Sequence, residues 1–303
     1  MKKSFLVLLC TFCLTAGFTI NLFAGAENTI NKKFSNIESI KCKFALGDIE
    51  ISKSSDNQVY VNLTYTHNKN DFKPAMSVIG KKLILKENFF DNNNDKGYSL
   101  WKISVPKECK LEINTGTGDI IITNVEVKVK ANTGTGTIKI YGSKGEFEMN
   151  TGTGNVKLSN GDGEFDLNTG TGHVNIADSK GEFKANSGTG LVKAENITIL
   201  FEGDFNSGTG NVNVVSPRGE KFDLSLNSGT GNAVLDMDGQ PINGYFEMRC
   251  NARSGKIIAP FKFDSEKEFG KDRQKRLEKS YTKGNADKRF FISTGTGKAV
   301  VKK

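Results

Sequence analysis

The sequence predicts an all-β chain built as a repetitive β-solenoid, coiled like a β-helix, with about nine to ten rungs at a period of roughly 18–24 residues and an N-terminal β cap. Three observations predict it. An N-T-G-T-G motif, with Ser for the first Thr in the last three copies, recurs at Asn114, Asn132, Asn150, Asn168, Asn186, Asn206 and Asn227, with spacings of 18, 18, 18, 18, 20 and 21 residues. Apolar residues on both sides of each motif alternate with polar ones, the period of strands with one dry side. A glycine stands at the same place in every copy, at Gly118, Gly136, Gly154, Gly172, Gly190, Gly210 and Gly231. A degraded copy begins at Asn251 and a last one at Ser293, which gives nine rungs and a rod of about 40 Å at the strand spacing of ~4.8 Å.

The elements follow in chain order. Residues 1–26 read as a secretory signal. Lys2 and Lys3 form a positive start, Phe5 to Phe23 is mostly apolar, and Ala24-Gly25-Ala26 has the small-x-small form of a cleavage site. Thr11, Thr15, Thr19 and Asn21 interrupt the apolar run, which is poor for a permanent span. No later stretch is long and apolar enough to cross a bilayer as a helix. Export would place Cys42, Cys109 and Cys250 in an oxidising setting. Three cysteines are too few for a disulfide framework and read as small buried apolar residues.

Residues 27–110 form the expected N-terminal β region. Ile40 to Ile51 matches the rung columns, with Gly47 at the corner and Phe44 and Leu46 where later rungs carry threonines. That match puts both threonine columns, Thr133 with Thr135 and Thr151 with Thr153, on the inward parity at or near the interior. Val59–Thr66, Lys82–Lys86 and Leu100–Val105 read as further strands, Asp91 to Asp95 as a loop tip, and the whole as a cover for the open end of the stack.

Residues 111–303 form the expected solenoid. In the copy around Asn150, Phe147 and Met149 face inward while Glu146 and Glu148 face outward. Across copies the core columns run through Phe147, Phe165 and Phe183 before the motif, and through Val156 and Val174 after it. An antiparallel meander would fit the same alternation. The solenoid is preferred because only stacking of like on like needs so regular an asparagine, as a hydrogen-bonded ladder. The corner glycines suit a positive φ or the close approach of the next layer. Residues 264–288 break the pattern, are dense in charge, and read as a mobile loop or a short solvated helix between the last two rungs.

These residues resemble a bacterial family of adhesin-type domains that is also carried under a domain-of-unknown-function label. Its pattern is a G-D-I-x-I start, a mid-chain strand ending in V-P, and a series of T-G-x-I-x-I rungs. Here these are Gly47-Asp48-Ile49-Glu50-Ile51, then Ile103-Ser104-Val105-Pro106, then the N-T-G-T-G series, over residues 36 to 303. The resemblance implies a β-solenoid-like fold and a cell-envelope or surface role. It brings no activity and no catalytic residues. The uniform asparagine, the doubled glycine and the charged excursion depart from the family's looser rungs.

No residue pattern points to catalysis, a cofactor or a metal. The column after the corner glycine (Asp119, Thr137, Asn155, His173, Leu191, Asn211, Asn232) is mixed, and glycines repeated in every rung are a packing device rather than a phosphate cradle. The formal charge of +8 lacks the dense basic, aromatic-interleaved clusters of nucleic-acid binders, apart from one stretch near the C-terminus. Outward acids before the motif (Glu146, Glu148, Glu164, Asp166, Glu182) suggest one acidic wall, facing away from a mildly basic wall of Lys139, Lys157 and Lys193. Cation binding or self-association would be its use. The expected function is that of an exported, non-enzymatic structural or interaction protein of the cell envelope or surface, with adhesion as its specific form. Its partners would be a cell-surface glycan, an envelope protein or a second copy, and not nucleic acid. A carbohydrate-binding or carbohydrate-cleaving β-helix is the alternative, marked by outward aromatics beside paired carboxylates. An ice-binding solenoid, marked by a flat T-x-T array, is a lesser one.

Overall fold

The computed structural model describes residues 27–90, 97–271, 275–284 and 286–303. The signal segment and the Asp91–Asp95 tip lie outside the described residues. Those described form strands and connections, with no helix, in two facing sheets of 13 and 14 strands. The fold is the β-solenoid that the repeat predicts.

The N-terminal part contains β1 (Asn28–Phe34), β2 (Ser39–Leu46), β3 (Asp48–Lys53), β4 (Val59–Tyr65), β5 (Phe72–Ile79), β6 (Lys82–Phe89) and β7 (Ser99–Val105). The repeat then alternates long and short strands. The long ones are β8 (Lys110–Thr117), β10 (Glu126–Thr135), β12 (Lys144–Thr153), β14 (Asp162–Thr171), β16 (Lys180–Thr189), β18 (Thr198–Ser207) and β20 (Phe222–Ser228). The short ones are β9 (Ile120–Thr123), β11 (Ile138–Tyr141), β13 (Val156–Ser159), β15 (Val174–Ala177), β17 (Val192–Glu195), β19 (Val212–Val215) and β21 (Ala233–Asp236). All long strands pair in parallel in one sheet and all short strands in the other, so the meander is excluded. The register sets Asn132 on Asn150, Phe147 on Phe165 and Val156 on Val174.

Between the sheets lies one continuous core. Val156 and Val174 are fully buried, and Phe147, Phe165 and Phe183 nearly so. These rings stack at centroid distances of 5.4 and 5.7 Å, nearly parallel, as identical rings one rung apart must. In β18 the two-residue insertion bulges out between Ile199 and Gly203, leaving Phe201 69% exposed.

The C-terminal part corrects the expected rung order. It contains β22 (Gly244–Asn251), β23 (Lys256–Ile258), β24 (Ser265–Phe269), β25 (Arg276–Lys283), β26 (Lys288–Thr294) and β27 (Lys298–Lys302). The last rung in sequence, β26 with β27, slots between β20/β21 and β22/β23. The glycines explain why. A Cβ on Gly295 or Gly297 would lie 2.1 or 2.0 Å from the carbonyl oxygen of Gly229 or Gly231, so this complete motif seats on the rung below. In the degraded copy Gly255 packs only on its own Cys250 and Asn251, so that rung belongs at the outside. The 264–288 excursion is likewise not a helix or a loop. Its β24 and β25 form an antiparallel pair laid on the edge of β22. The open ladder of β22 supplies the hydrogen bonds, and Tyr281 stacks on Phe261 at 4.1 Å.

The opposite end is built the same way. β6 and β7 make a parallel rung inserted between β2/β3 and the reversed strands β5 and β4, with β1 antiparallel outside β4. Counting β6/β7 and β2/β3 with the repeat rungs, eleven parallel rungs stand among the described residues. At the N-terminal end both sheets close on antiparallel strands. At the C-terminal end the long-strand sheet does, while the short-strand sheet ends on the three-residue parallel strand β23. The antiparallel strands carry charge or proline, such as Lys32 and Lys33, Pro74, and Glu266 to Glu268, which blunts further strand addition.

Candidate functional site

The repeat residues come together as internal fasteners. Each asparagine amide donates to the carbonyl of the one before it, from Asn132 to Asn114 through Asn227 to Asn206, at 2.7–3.0 Å. This ladder runs along the outer side of the long-strand sheet. The threonine columns divide, which corrects their shared inward placement. The first hydroxyl is buried and donates to the corner-glycine carbonyl of the preceding rung, as Thr151 does to Gly136 at 2.9 Å and Thr169 to Gly154 at 2.8 Å. The second, as in Thr135 and Thr153, is exposed at the corner because the intervening glycine carries the chain out of the sandwich.

The corner glycines serve both expected needs. Gly118, Gly136, Gly154, Gly172 and Gly190 have φ between +146° and +155°. A Cβ at any of them, or at Gly210 or Gly231, would fall within about 2 Å of the glycine carbonyl below, for instance 2.0 Å at Gly154.

Sequence reasoning missed a second ladder in the column after the corner. Side chains there accept from the backbone N–H one rung further on: Asp48 from Asp119, Asp119 from Thr137, Asn155 from His173, His173 Nδ1 from Leu191, Asn211 from Asn232 and Asn232 from Lys298, all at 2.7–2.9 Å. Aspartate, asparagine and imidazole share one property, an acceptor at the right reach, which a search by residue type does not see. His173 Nδ1 thereby acts as an acceptor with a structural partner.

Outside the long-strand sheet runs a groove of about 800 Å³. One row across the rungs reads Lys110, Lys128, Glu146, Glu164, Glu182. The next reads Glu112, Lys130, Glu148, Asp166, Lys184. The face is banded rather than uniformly acidic, which corrects the two-wall picture. Lys128 pairs with Glu146, Lys130 with Glu148 at 2.5 Å, and Lys184 with Asp166 at 3.8 Å. Lys130 holds the Glu148 carboxyl below its usual value, and Lys41 does the same for Glu112. Lysine on the neighbouring rung relieves the repulsion that stacked carboxylates would otherwise build up.

Two polar centres lie at the ends. Near the N-terminal end Glu87 is buried. Its Oε2 accepts from the backbone of Ala45 and Leu46 at 2.9 and 3.0 Å, and its Oε1 from Trp101 Nε1 at 2.8 Å, with Ser99 Oγ at 2.5 Å. It fastens β6 to β2 and β7. At the C-terminal end a pocket of about 390 Å³ opens on the outer face among Arg249, Arg276, Phe269, Phe291, Asn227 and Ser293. Arg249 bonds Glu247 and the buried Glu278, both at 2.6 Å, and its guanidinium lies over Phe269 at 5.8 Å. Burial opposes charge on Glu278, but Lys267 and Arg249 outweigh it and hold the carboxyl below its usual value. Cys42, Cys109 and Cys250 are free and buried, and burial pushes the Cys109 thiol up to about 12. Among the described residues no group of three or more His, Cys, Asp or Glu is arranged to hold a metal, and no helix is long and apolar enough to cross a membrane.

The geometry defines a parallel β-solenoid with a banded outer groove and dissimilar ends. Residues 37–254 match the Toastrack family model (DUF4097), and the chain belongs to that family. No curated protein matches it. Among solved structures it is similar to a candidate adhesin from Bacteroides fragilis, at 13% identity over 91% of this chain and 96% of that one, with a TM-score of 0.40. It is also similar to a candidate lipid-binding protein from Parabacteroides distasonis (18%, 92% and 97%, 0.35). A third is a candidate cell adhesion protein from Clostridium sporogenes (12%, 91% and 99%, 0.30).

Proposed function

We propose that this chain is an exported, non-enzymatic interaction protein of the cell envelope or surface, with adhesion as its specific form. The observation that carries this reading is where the polar side chains go. Those of the repeat bond to one another or to the adjacent rung's backbone, so the stack is a scaffold. Chemistry free to meet a partner lies on the outer groove and at the C-terminal end. In this reading residues 1–26 direct export, 27–110 cover one end, and 111–303 present the binding surfaces. The hydroxyl residue that follows the motif asparagine, such as Thr151 or Ser187, is buried and bonded to the rung before it, so the ice-binding alternative lacks its flat T-x-T array. The carbohydrate-binding alternative is favoured by one feature, the outward aromatics Tyr245, Phe269 and Phe291 beside Glu247 and Glu278.

Protease treatment of intact cells, followed by detection of the chain, tests the reading. Cleavage on intact cells, or release with the envelope fraction, is expected. Recovery of the uncut chain with the cytosolic fraction would refute it.

A further inference from the structure

We propose that the C-terminal end of the long-strand sheet binds an anionic glycan, seating one carboxylated or phosphorylated sugar ring between Phe269 and Phe291 with its anion on Arg276. The proposal rests on the interaction reading above and names the ligand class.

Four features converge. First, Arg276 donates to Ser293 Oγ at 3.0 Å and pairs with no carboxylate among the described residues, whereas Arg249 beside it is saturated by Glu247 and Glu278. A guanidinium has five N–H donors in a planar fork that matches carboxylate and phosphate, so Arg276 keeps most of its donors for a ligand. Second, the asparagine ladder stops inside this pocket. Every carbonyl from Asn114 to Asn206 accepts from the next asparagine, but the rung after Asn227 carries Ser293 instead. Asn227 Oδ1 therefore has no ladder donor and faces the pocket as an acceptor for a hydroxyl. Third, the walls are aromatic. Phe269 is 42% exposed, and Phe291 packs edge-on to Tyr245 at 6.3 Å. Aromatic faces take the C–H side of a pyranose while the polar groups fix its orientation.

Fourth, the charge is distributed along the chain so that this end is its most positive part, at +9 against +4 for residues 27–110 and −7 for residues 111–243. From Gly244 to the C-terminus there are 16 Lys and Arg against 7 Asp and Glu. Residues 111–243 carry 10 against 17. A polyanion is repelled along the middle of the rod and drawn to this end. A neutral sugar would leave Arg276 without its counterion, and a polyanion without rings would leave the aromatic walls empty.

The test is calorimetry on the full chain with four probes of matched length: a uronic-acid oligosaccharide, a sugar-phosphate oligomer, a neutral oligosaccharide and inorganic polyphosphate. At least one of the first two should bind about tenfold more tightly than both the neutral probe and polyphosphate, and which one does identifies the anion. Arg276→Gln and Phe291→Ala should each weaken that binding about tenfold, a difference of ~1.4 kcal/mol. Arg276→Lys keeps the charge but loses the fork and should weaken it nearly as much. Lys256→Gln, outside the pocket, should change it little. Thermal melts of each variant separate lost binding from lost fold. Polyphosphate binding as tightly as the charged sugars, or equal losses from Lys256→Gln and Arg276→Gln, would reduce the end to a diffuse positive field and overturn the proposal. So would binding to none of the probes. That last result, with the chain still cleaved on intact cells, would leave the surface reading standing.

Discussion

Phe165→Ala tests the core where the stack is most regular. Phe165 is 3% exposed and lies between Phe147 and Phe183, stacked on both. Truncation removes most of a buried ring and leaves a void whose ceiling and floor are two further rings held in place by their own rungs. Such a site cannot collapse without shifting the ladder. The cost therefore belongs in the upper part of the Phe→Ala range, about 4–5 kcal/mol. At ~2–4 °C per kcal/mol for a domain of this size, the melting midpoint should fall by roughly 10 °C or more. Phe201→Ala is the control: the same substitution at a ring 69% exposed on the bulge of β18 should stay within about 0.5 kcal/mol. Circular-dichroism melts of the two variants and the parent measure both. A Phe165→Ala midpoint within error of the parent, or of Phe201→Ala, would mean that the rings do not form a dry column.

Other outcomes follow from the fasteners. Gly154→Ala places a Cβ 2.0 Å from the Gly136 carbonyl at φ +146° and should cost several times what Gly80→Ala costs, where φ is +59° but nothing lies within 4 Å; denaturant midpoints compare them. Asn150→Asp removes the amide that donates to Asn132 and sets a carboxylate against that carbonyl, so it should destabilise by ~1–3 kcal/mol, while Asn150→Gln should cost less. Because the Glu278 carboxyl is held below its usual value in the fold, the unfolded chain takes up that proton first as pH falls. Its contribution is present above the ordinary carboxylate value of 4.5 and lost below it. Glu278→Gln should therefore flatten the acid limb of a stability-against-pH curve, and an unchanged limb would show that the Lys267–Glu278–Arg249 cluster contributes nothing to it.

The middle of the fold was legible because identical columns recur. Asn150 announces its ladder by having Asn132 and Asn168 at equal distance, and Phe165 announces its stack in the same way. The ends were not legible, for a physical reason: period and spacing report which residues are equivalent, not which rung seats on which. The order β20–β26–β22 depends on Gly295 and Gly297 meeting carbonyls that Gly255 cannot meet, a steric fact absent from the alternation. The excursion was misread because the charge of Glu266, Lys267 and Glu268 hides strands whose backbone bonds come from the edge of β22. The second ladder was missed because Asp119, Asn155 and His173 share an acceptor and not a residue type. Of the C-terminal pocket, the sequence showed only the basic stretch. The convergence of Arg276, Phe291 and Asn227 requires β25, β26 and β20, strands far apart in sequence, to be gathered at one end of one sheet.

Parallel in-register stacking is most directly tested by cross-linking across the exposed corner. Thr135 and Thr153 are register partners on adjacent rungs, and their separation at the strand spacing of ~4.8 Å lies within disulfide reach. Among the described residues the parent cysteines, Cys42, Cys109 and Cys250, are buried and should not compete. The account predicts that the Thr135→Cys, Thr153→Cys pair oxidises to an intramolecular disulfide in the native protein, and that Thr135→Cys with Thr171→Cys, two rungs apart, does not. Cross-linking of the second pair in preference to the first, or of neither, would contradict it.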